Sequence, residues 1–218
     1  ENAGGLRGLK YGVTKDYVLN TEVVLPSGEV IWTGANVLKN STGYNLTQLM
    51  VGSEGTLGII TKIVFRLVPH PSCDISMLVP FRSAEKACEA VSAVFRAGIT
   101  PSALEFMERE AIVWTMKFTD INVPIEDEVQ AHLLVEVDGN DMDTLFRDCE
   151  RIAEVMEQFD CGEILFADSA SQKDQLWRLR RAVGEAVESN SVYKEEDTVV
   201  PRAELPKLLK GVKEIGNK

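Results

Sequence analysis

Two prolines on either side of one histidine, Pro69-His70-Pro71, forbid any helix or inner strand from running on past the first third of this chain. Proline has no N–H to give a ladder, breaks a helix interior and pushes the residue before it toward extended backbone. A domain boundary is therefore expected there, leaving residues 1–70 and 71–218 to be read separately. The whole chain, at 218 residues, is long enough for one large domain or two small ones. Its formal charge of −11 argues against nucleic acid as a partner and against adhesion to an anionic membrane. Apolar runs are interrupted by Lys62, Arg66 or Pro80 before they reach the length of a membrane span, and no signal-peptide pattern opens the chain. Cys73, Cys88, Cys149 and Cys161 lack metal-ligand spacing, and three fall within apolar patterns. Buried reduced thiols in a cytoplasmic protein are expected, and a disulfide framework is not. The opening Glu1 and the stop within a helical pattern at Gly216-Asn217-Lys218 suggest a piece of a longer protein.

In the first stretch, residues 2–12 hold four glycines and favour a ligand-facing loop or a mobile terminus over any regular element. Tyr17–Leu25 and Glu29–Trp32, joined by Pro26-Ser27-Gly28, form a hairpin with a three-residue turn. A polar turn at 40–45 leads into a short helix, Leu46–Met50. Next come Gly52, Gly55 and Gly58, with Glu54 among them, at the entry of the strand Leu57–Val68. Leu57, Ile59, Ile63, Phe65 and Leu67 should share its buried face, with Thr61 the exception. Such glycines allow unusual dihedrals or close approach of another group. Their spacing fits neither the Rossmann fingerprint nor the P-loop, so a tight turn with a β-bulge and a ligand loop remain equal alternatives.

The second stretch has an α+β order. A strand at 74–81 precedes a helix capped by Ser83 and stopped by Gly98; then come a strand Ser102–Met107, a helix from Glu108 to about Phe118, and a strand Ala131–Val137. Met142–Phe159, with its apolar stripe of Leu145, Cys149, Ile152 and Met156, is the most regular helix, and the strand Glu163–Ala167 follows it. This is the ferredoxin-like βαββαβ arrangement, an antiparallel sheet with helices on one face. A helix Lys173–Val187, an extended piece Asp197–Pro201 and a helix starting near Ala203 extend the domain.

Four motifs in order carry a resemblance. Asn-Ala-Gly-Gly-Leu-Arg-Gly-Leu-Lys-Tyr-Gly at 2–12, Glu-Val-Val-Leu-Pro-Ser-Gly-Glu-Val at 22–30, Thr-Gly-Tyr-Asn-Leu at 42–46 and Gly-Ser-Glu-Gly-Thr-Leu-Gly-Ile-Ile-Thr at 52–61 resemble FAD-linked oxidases of the vanillyl-alcohol oxidase and p-cresol methylhydroxylase superfamily. The similarity is to the branch holding the glycolate oxidase FAD subunit, D-lactate dehydrogenase and D-2-hydroxyglutarate dehydrogenase. It extends through Pro101–Met107, Leu176–Arg180, Val192–Lys194 and Val199–Pro201. The resemblance implies that residues 1–70 are the latter part of an FAD-binding domain of the p-cresol methylhydroxylase type, and 71–218 an incomplete ferredoxin-like cap. It implies oxidation of a D-2-hydroxy acid to the 2-oxo acid by hydride transfer from Cα to flavin N5, with electrons passed to a separate acceptor.

By position in these motifs, Asn2, Ala3, Gly4, Gly5 and Gly12 would run beside the diphosphate and flavin, where a β-carbon would push the backbone off the cofactor. Glu54, Gly58, Ile59 and Ile60 would meet the ribose and adenine side. In the cap, Arg180 is the expected clamp for the substrate carboxylate, because its planar fork can engage both oxygens; Lys194 is a second candidate. Against these stand ordinary solvated pairs, of Arg178, Arg180 and Arg181 with Glu185 and Glu188, and of Lys194 with Glu195 and Glu196. Glu105 ends an apolar strand, and Trp177 reads as core. His70 and His132 read as structural, and the family's catalytic and metal-binding histidines would follow the last helix, outside this sequence. A divalent metal, if used, would be held there. The chain by itself is accordingly expected neither to retain FAD nor to turn over substrate, while homo-oligomers stay open. Two alternatives share the fold: a non-catalytic interaction module, and an ether-lipid synthase-type flavoenzyme.

Overall fold

A computed structural model describes residues 1–167 and 169–216. The chain divides into two compact units, Glu1–His70 and Pro71–Lys218.

The first unit contains one short helix that the glycine-rich opening conceals. α1 (Gly8–Tyr11) forms because Gly12 adopts φ +80°, which turns its N–H back onto the carbonyl of Gly8. β1 (Val18–Val24) and β2 (Val30–Trp32) make the expected hairpin, whose loop is closed by Gly28 at φ +85° donating to the Leu25 carbonyl. α2 (Leu46–Met50) starts where Asn45 Oδ1 accepts the Gln48 N–H. β3 (Ile59–Phe65) completes an antiparallel sheet of order β2-β1-β3. A buried chain of hydroxyls, Thr21–Thr33 at 2.7 Å and Thr33–Thr47 at 2.8 Å, fastens α2 to the hairpin.

The expectation of a half-buried apolar face on β3 is overturned. Ile59 is 61% and Leu67 87% exposed, and Ile63 and Phe65 are also open. The β1–β3 register shifts between Glu22↔Lys62 and Val23↔Ile60, so Thr61 is the extra residue of a bulge, held by Glu22 through its backbone and side-chain oxygens. The bulge breaks the two-residue alternation, and these apolar side chains stand open.

In the second unit, β4 (Cys73–Phe81), β5 (Ala103–Glu108), β6 (Ala131–Gly139) and β7 (Leu165–Ala167) form a fully antiparallel sheet of order β5-β6-β4-β7, the ferredoxin-like order. α3 (Ala84–Arg96) and α5 (Met142–Glu157) cover one face. The Ser83 hydroxyl caps α3 by accepting the Lys86 N–H. Ile75, Met77, Val79 and Phe81 of β4 and Leu133 and Val135 of β6 pack there against Val94, Ile152 and Met156. Burying side chains of this size contributes roughly 1.5–3 kcal/mol each. A further helix, α7 (Leu205–Gly216), lies along α3, adding Leu205 and Leu209 to the first core.

The expectation of helices on one face only is thereby corrected: α4 (Arg109–Phe118) and α6 (Ala170–Asn190) cover the other side of the sheet. Leu78, Met107, Ile112, Leu134, Leu176 and Leu179 make this second core. With both faces covered, eight consecutive residues of β6, Ala131–Asp138, are buried. The four cysteines are free; Cys88 and Cys149 are buried, while Cys73 and Cys161 are only half-buried. Among the described residues no helix is long and apolar enough to cross a membrane.

Candidate functional site

Two clefts in the first unit gather the residues singled out for a cofactor, apart from Asn2 and Gly4, which line neither. One, of about 390 Å³, is lined by Gly52, Glu54, Gly55, Gly58, Ile59 and Ile60 among others. The other, of about 560 Å³, is lined by Ala3, Gly5 and Gly12 with Tyr17 and Arg66, and Thr14 lies on the walls of both. The opening segment is pinned to the turn after α1. Asn2 Oδ1 accepts the Lys15 N–H at 2.8 Å, and the Ala3 carbonyl accepts both the N–H and the hydroxyl of Thr14. A methyl group added at Gly52 would come 3.3 Å from the Asn2 Cβ, so the two glycine-rich segments adjoin.

The glycines have different physical reasons. Gly52, Gly55 and even Glu54 lie in the left-handed region, at φ +90°, +80° and +51°, as a tight turn at this point requires. A Cβ at Gly58 would sit 2.6 Å from Val23 Cγ1 and 2.9 Å from the Val24 carbonyl oxygen, so that glycine is demanded by its own sheet. Gly12 is crowded by Asp16, whose carboxyl holds the Val13 N–H. At Gly4 the nearest neighbour of an added Cβ is Val13 Cγ1, at 3.1 Å. Only Gly5 of this set has nothing within 4 Å of an added Cβ. Gly58 and Gly12 therefore have reasons within the fold itself for lacking a β-carbon.

The second unit assembles polar groups beneath α6, which begins where the Ser169 hydroxyl accepts the Gln172 N–H. Lys173, Trp177 and Arg180, spaced to share one helix face, each engage an acid on a different strand. Lys173 Nζ lies 2.6 Å from Asp74 Oδ1 on β4. Trp177 Nε1 donates to Glu136 Oε2 on β6 at 2.8 Å. Arg180 places both Nε and Nη2 at 2.8 Å from Glu105 Oε2 on β5. Arg180 and Glu105 are therefore brought together, with side chains 30% and 16% exposed, and among the described residues Arg180 Nη1 has no partner. Arg180 thus pairs with Glu105 on the sheet in place of the solvated Glu185 and Glu188. Lys194 stands apart, 83% exposed and 2.5 Å from Glu196, as the solvated alternative anticipated.

Glu136 escaped sequence reasoning. It is 1% exposed and accepts the Ser102 hydroxyl as well as the Trp177 indole N–H. An acid inside the run Leu133-Leu134-Val135-Glu136-Val137 was the available signal, since alternation alone assigns it to solvent. Neither buried thiol is a nucleophile at neutral pH: burial pushes Cys88 up to about 11 and Cys149 up to about 12. His132 is buried, and burial followed by the nearby Arg109 pushes its pKa down to about 4. Among the described residues no three His, Cys, Asp or Glu side chains cluster as a metal site.

Comparison with known proteins adds the following. Residues 71–218 match the family described as FAD linked oxidases, C-terminal domain. A D-lactate dehydrogenase of Anaerostipes hadrus is 40% identical over 95% of this chain and 45% of its own length. A glycolate oxidase subunit GlcD of Bacillus subtilis is 37% identical over the full chain and 46% of its own length. The chain thus spans about half the length of the relatives it matches. Among solved structures, an alkyldihydroxyacetonephosphate synthase superposes with a TM-score of 0.69 at 17% identity, over 98% of this chain and 43% of that one, which establishes likeness of fold.

Proposed function

This chain belongs to the FAD linked oxidases, matching their C-terminal domain, and on that premise we propose that it is part of a cytoplasmic flavoenzyme oxidising a D-2-hydroxy acid to the 2-oxo acid. Residues 1–70 would form the latter part of the FAD-binding domain and 71–218 the substrate-side cap. The observation that carries the reading is the Arg180 guanidinium, half-buried and oriented through two of its nitrogens by Glu105. A fork fixed on one edge keeps Nη1 available to a second carboxylate, so a hydroxy acid can be gripped without first ordering a loose side chain. Lys194 would supply a further positive charge. The bare backbone at Gly5 and the tight turn at Gly52–Gly55 fit one wall of a cleft for FAD, with Asn2, Ala3, Gly4 and Gly12 along one part and Glu54, Gly58, Ile59 and Ile60 along the other. When bound, FAD supplies the hydride acceptor, at N5, for the substrate Cα–H. What this chain contributes is binding and orientation, and the proton acceptor for the substrate hydroxyl is assigned to residues outside it.

The test is anaerobic titration of the full-length protein with glycolate, D-lactate and D-2-hydroxyglutarate, following flavin absorbance. Bleaching by at least one of them, at a concentration raised by Arg180→Lys, is expected. A flavin that none of the three reduces overturns the reading.

A further inference from the structure

β6 starts against a cavity that none of the flavin or hydroxy-acid residues enters. It measures about 260 Å³, and its apolar wall comes from Leu78, Pro80, Val123, Pro124 and Leu165. Glu126 and Glu163 also line it, and so does His132. His132 is 2% exposed, and its Nδ1 has no hydrogen-bond partner among the described residues. Unpaired buried polar atoms are few in native proteins, and a bound molecule is one way to satisfy such an atom. Arg109 is not its partner: it donates Nη1 to the carbonyls of Glu126 and Val129 and Nη2 to Asp127. Those bonds also fix the loop that carries Val123 and Pro124 as a wall.

The lining selects a chemistry. The cavity exceeds the roughly 150 Å³ that admits benzene in an engineered protein core. With burial and Arg109 both opposing its protonation, the imidazole is neutral near pH 7 and offers one donor and one acceptor. Glu126 and Glu163 set a negative charge on the wall, which repels carboxylates, including the 2-hydroxy acids proposed above. We propose that this cavity is a second binding site of the protein, taking a small uncharged ring compound that carries one hydroxyl or N–H, the phenol and indole class, hydrogen-bonded to the imidazole of His132.

Phenol is the probe, benzoate its anionic counterpart of the same ring size, and the whole 218-residue chain the sample. The chain has two histidines, so the ring proton signals of His132 and His70 report the site and an internal control. Phenol is expected to shift the His132 signal saturably, with a Kd of about 1 mM for so few atoms, while His70 stays still and benzoate moves neither. Val123→Phe, which fills the cavity without touching the imidazole chemistry, should weaken phenol at least about tenfold while the His132 signal remains that of a folded chain. A His132 signal that does not respond to phenol, that responds equally to benzoate, or that responds undiminished in Val123→Phe overturns the proposal.

Discussion

Trp177 donates its indole N–H to Glu136 Oε2 at 2.8 Å, joining the middle of α6 to the middle of the most buried strand, β6. Ser102 holds the other oxygen of the same carboxyl at 3.1 Å and also donates its backbone N–H to the Glu136 carbonyl. The tie sits between Lys173–Asp74 and Arg180–Glu105 on one face of the helix. Arg180 is therefore aimed not by its own pair alone but by the seating of the whole helix.

Removing the acid should expose how much that seating depends on it. Glu136→Leu leaves the buried indole N–H without an acceptor, while the Ser102 hydroxyl keeps the Glu136 backbone carbonyl at 3.0 Å, a loss of about 1–3 kcal/mol. Glu136→Gln keeps an acceptor for Trp177 and should lose roughly half as much or less. Urea denaturation of the two variants measures the difference. Equal destabilisation would show that volume, rather than hydrogen bonding, is what matters at this position.

The elements of the second unit were legible because local rules and tertiary packing agree there. The stripe Leu145, Cys149, Ile152 and Met156 on α5 is buried as its spacing requires, and Ser83 caps α3. The second helical layer was not legible. His132, Glu136 and Asp138 alternate with apolar residues as though facing water, yet all are buried in a strand covered on both faces. Nothing local says that an acid 41 residues before Trp177 will meet its indole. On β3 the failure ran the other way. The Thr61 bulge falls at the one exception in the alternation, and Ile59 and Ile63 on either side of it remain exposed. At the candidate sites the motif singles out Arg180 for the proposal, whereas the Glu105 carboxylate that orients it is a contact between β5 and α6 that no spacing encodes.

Arg180→Lys in the full-length protein should raise the KM for its hydroxy acid about 10- to 100-fold, with a smaller effect on kcat, because a point charge replaces a fork held on one edge. Glu105→Gln, which preserves shape but weakens the grip on the fork, should fall between the wild type and Arg180→Lys. Steady-state kinetics with the substrate that bleaches the flavin decides it. An unchanged KM in Arg180→Lys would remove Arg180 from the substrate site.

Acid should weaken this fold partly through one ring. His132 has its pKa pushed down to about 4 in the folded chain, by burial first and Arg109 second, against about 6.5 when unfolded. The unfolded chain therefore takes up the proton first as pH falls. The contribution of His132 is fully present above about pH 6.5, is lost progressively down to about pH 4, and amounts to about 3 kcal/mol. Glu126 and Glu163 on the same cavity wall are the charges able to offset part of this. Urea midpoints at about pH 7.5 and about pH 4.5, compared between wild type and His132→Leu, isolate the effect, since the other acids are common to both. A variant with the same pH slope as wild type would show that His132 does not carry it.

The 218-residue chain alone should purify colourless. Its candidate flavin clefts are open, with Ile59 61% exposed and Gly5 exposed on the wall. One side of a cleft contacts too little of an elongated cofactor to offset the freedom lost on binding. The visible flavin absorbance per mole of purified chain is the measurement, and near-stoichiometric flavin would contradict the expectation.

The two kinds of glycine separate the flavin proposal from simple folding. Gly58→Ala puts a methyl group 2.6 Å from Val23 Cγ1 and 2.9 Å from the Val24 carbonyl, and backbone cannot yield there cheaply. The first unit should lose about 1–3 kcal/mol whether or not any cofactor is present. Gly5→Ala adds a methyl group with nothing within 4 Å, so stability should stay within about 0.5 kcal/mol. If the backbone of residues 2–5 lies against FAD, the same methyl group has to displace the cofactor, and flavin affinity of the full-length protein should fall on the order of tenfold. Denaturation of the chain and flavin titration of the full-length apoprotein, done on both variants, separate the two effects. Gly5→Ala with wild-type stability and wild-type flavin affinity would take residues 2–5 off the cofactor wall, while leaving the packing account of Gly58 intact.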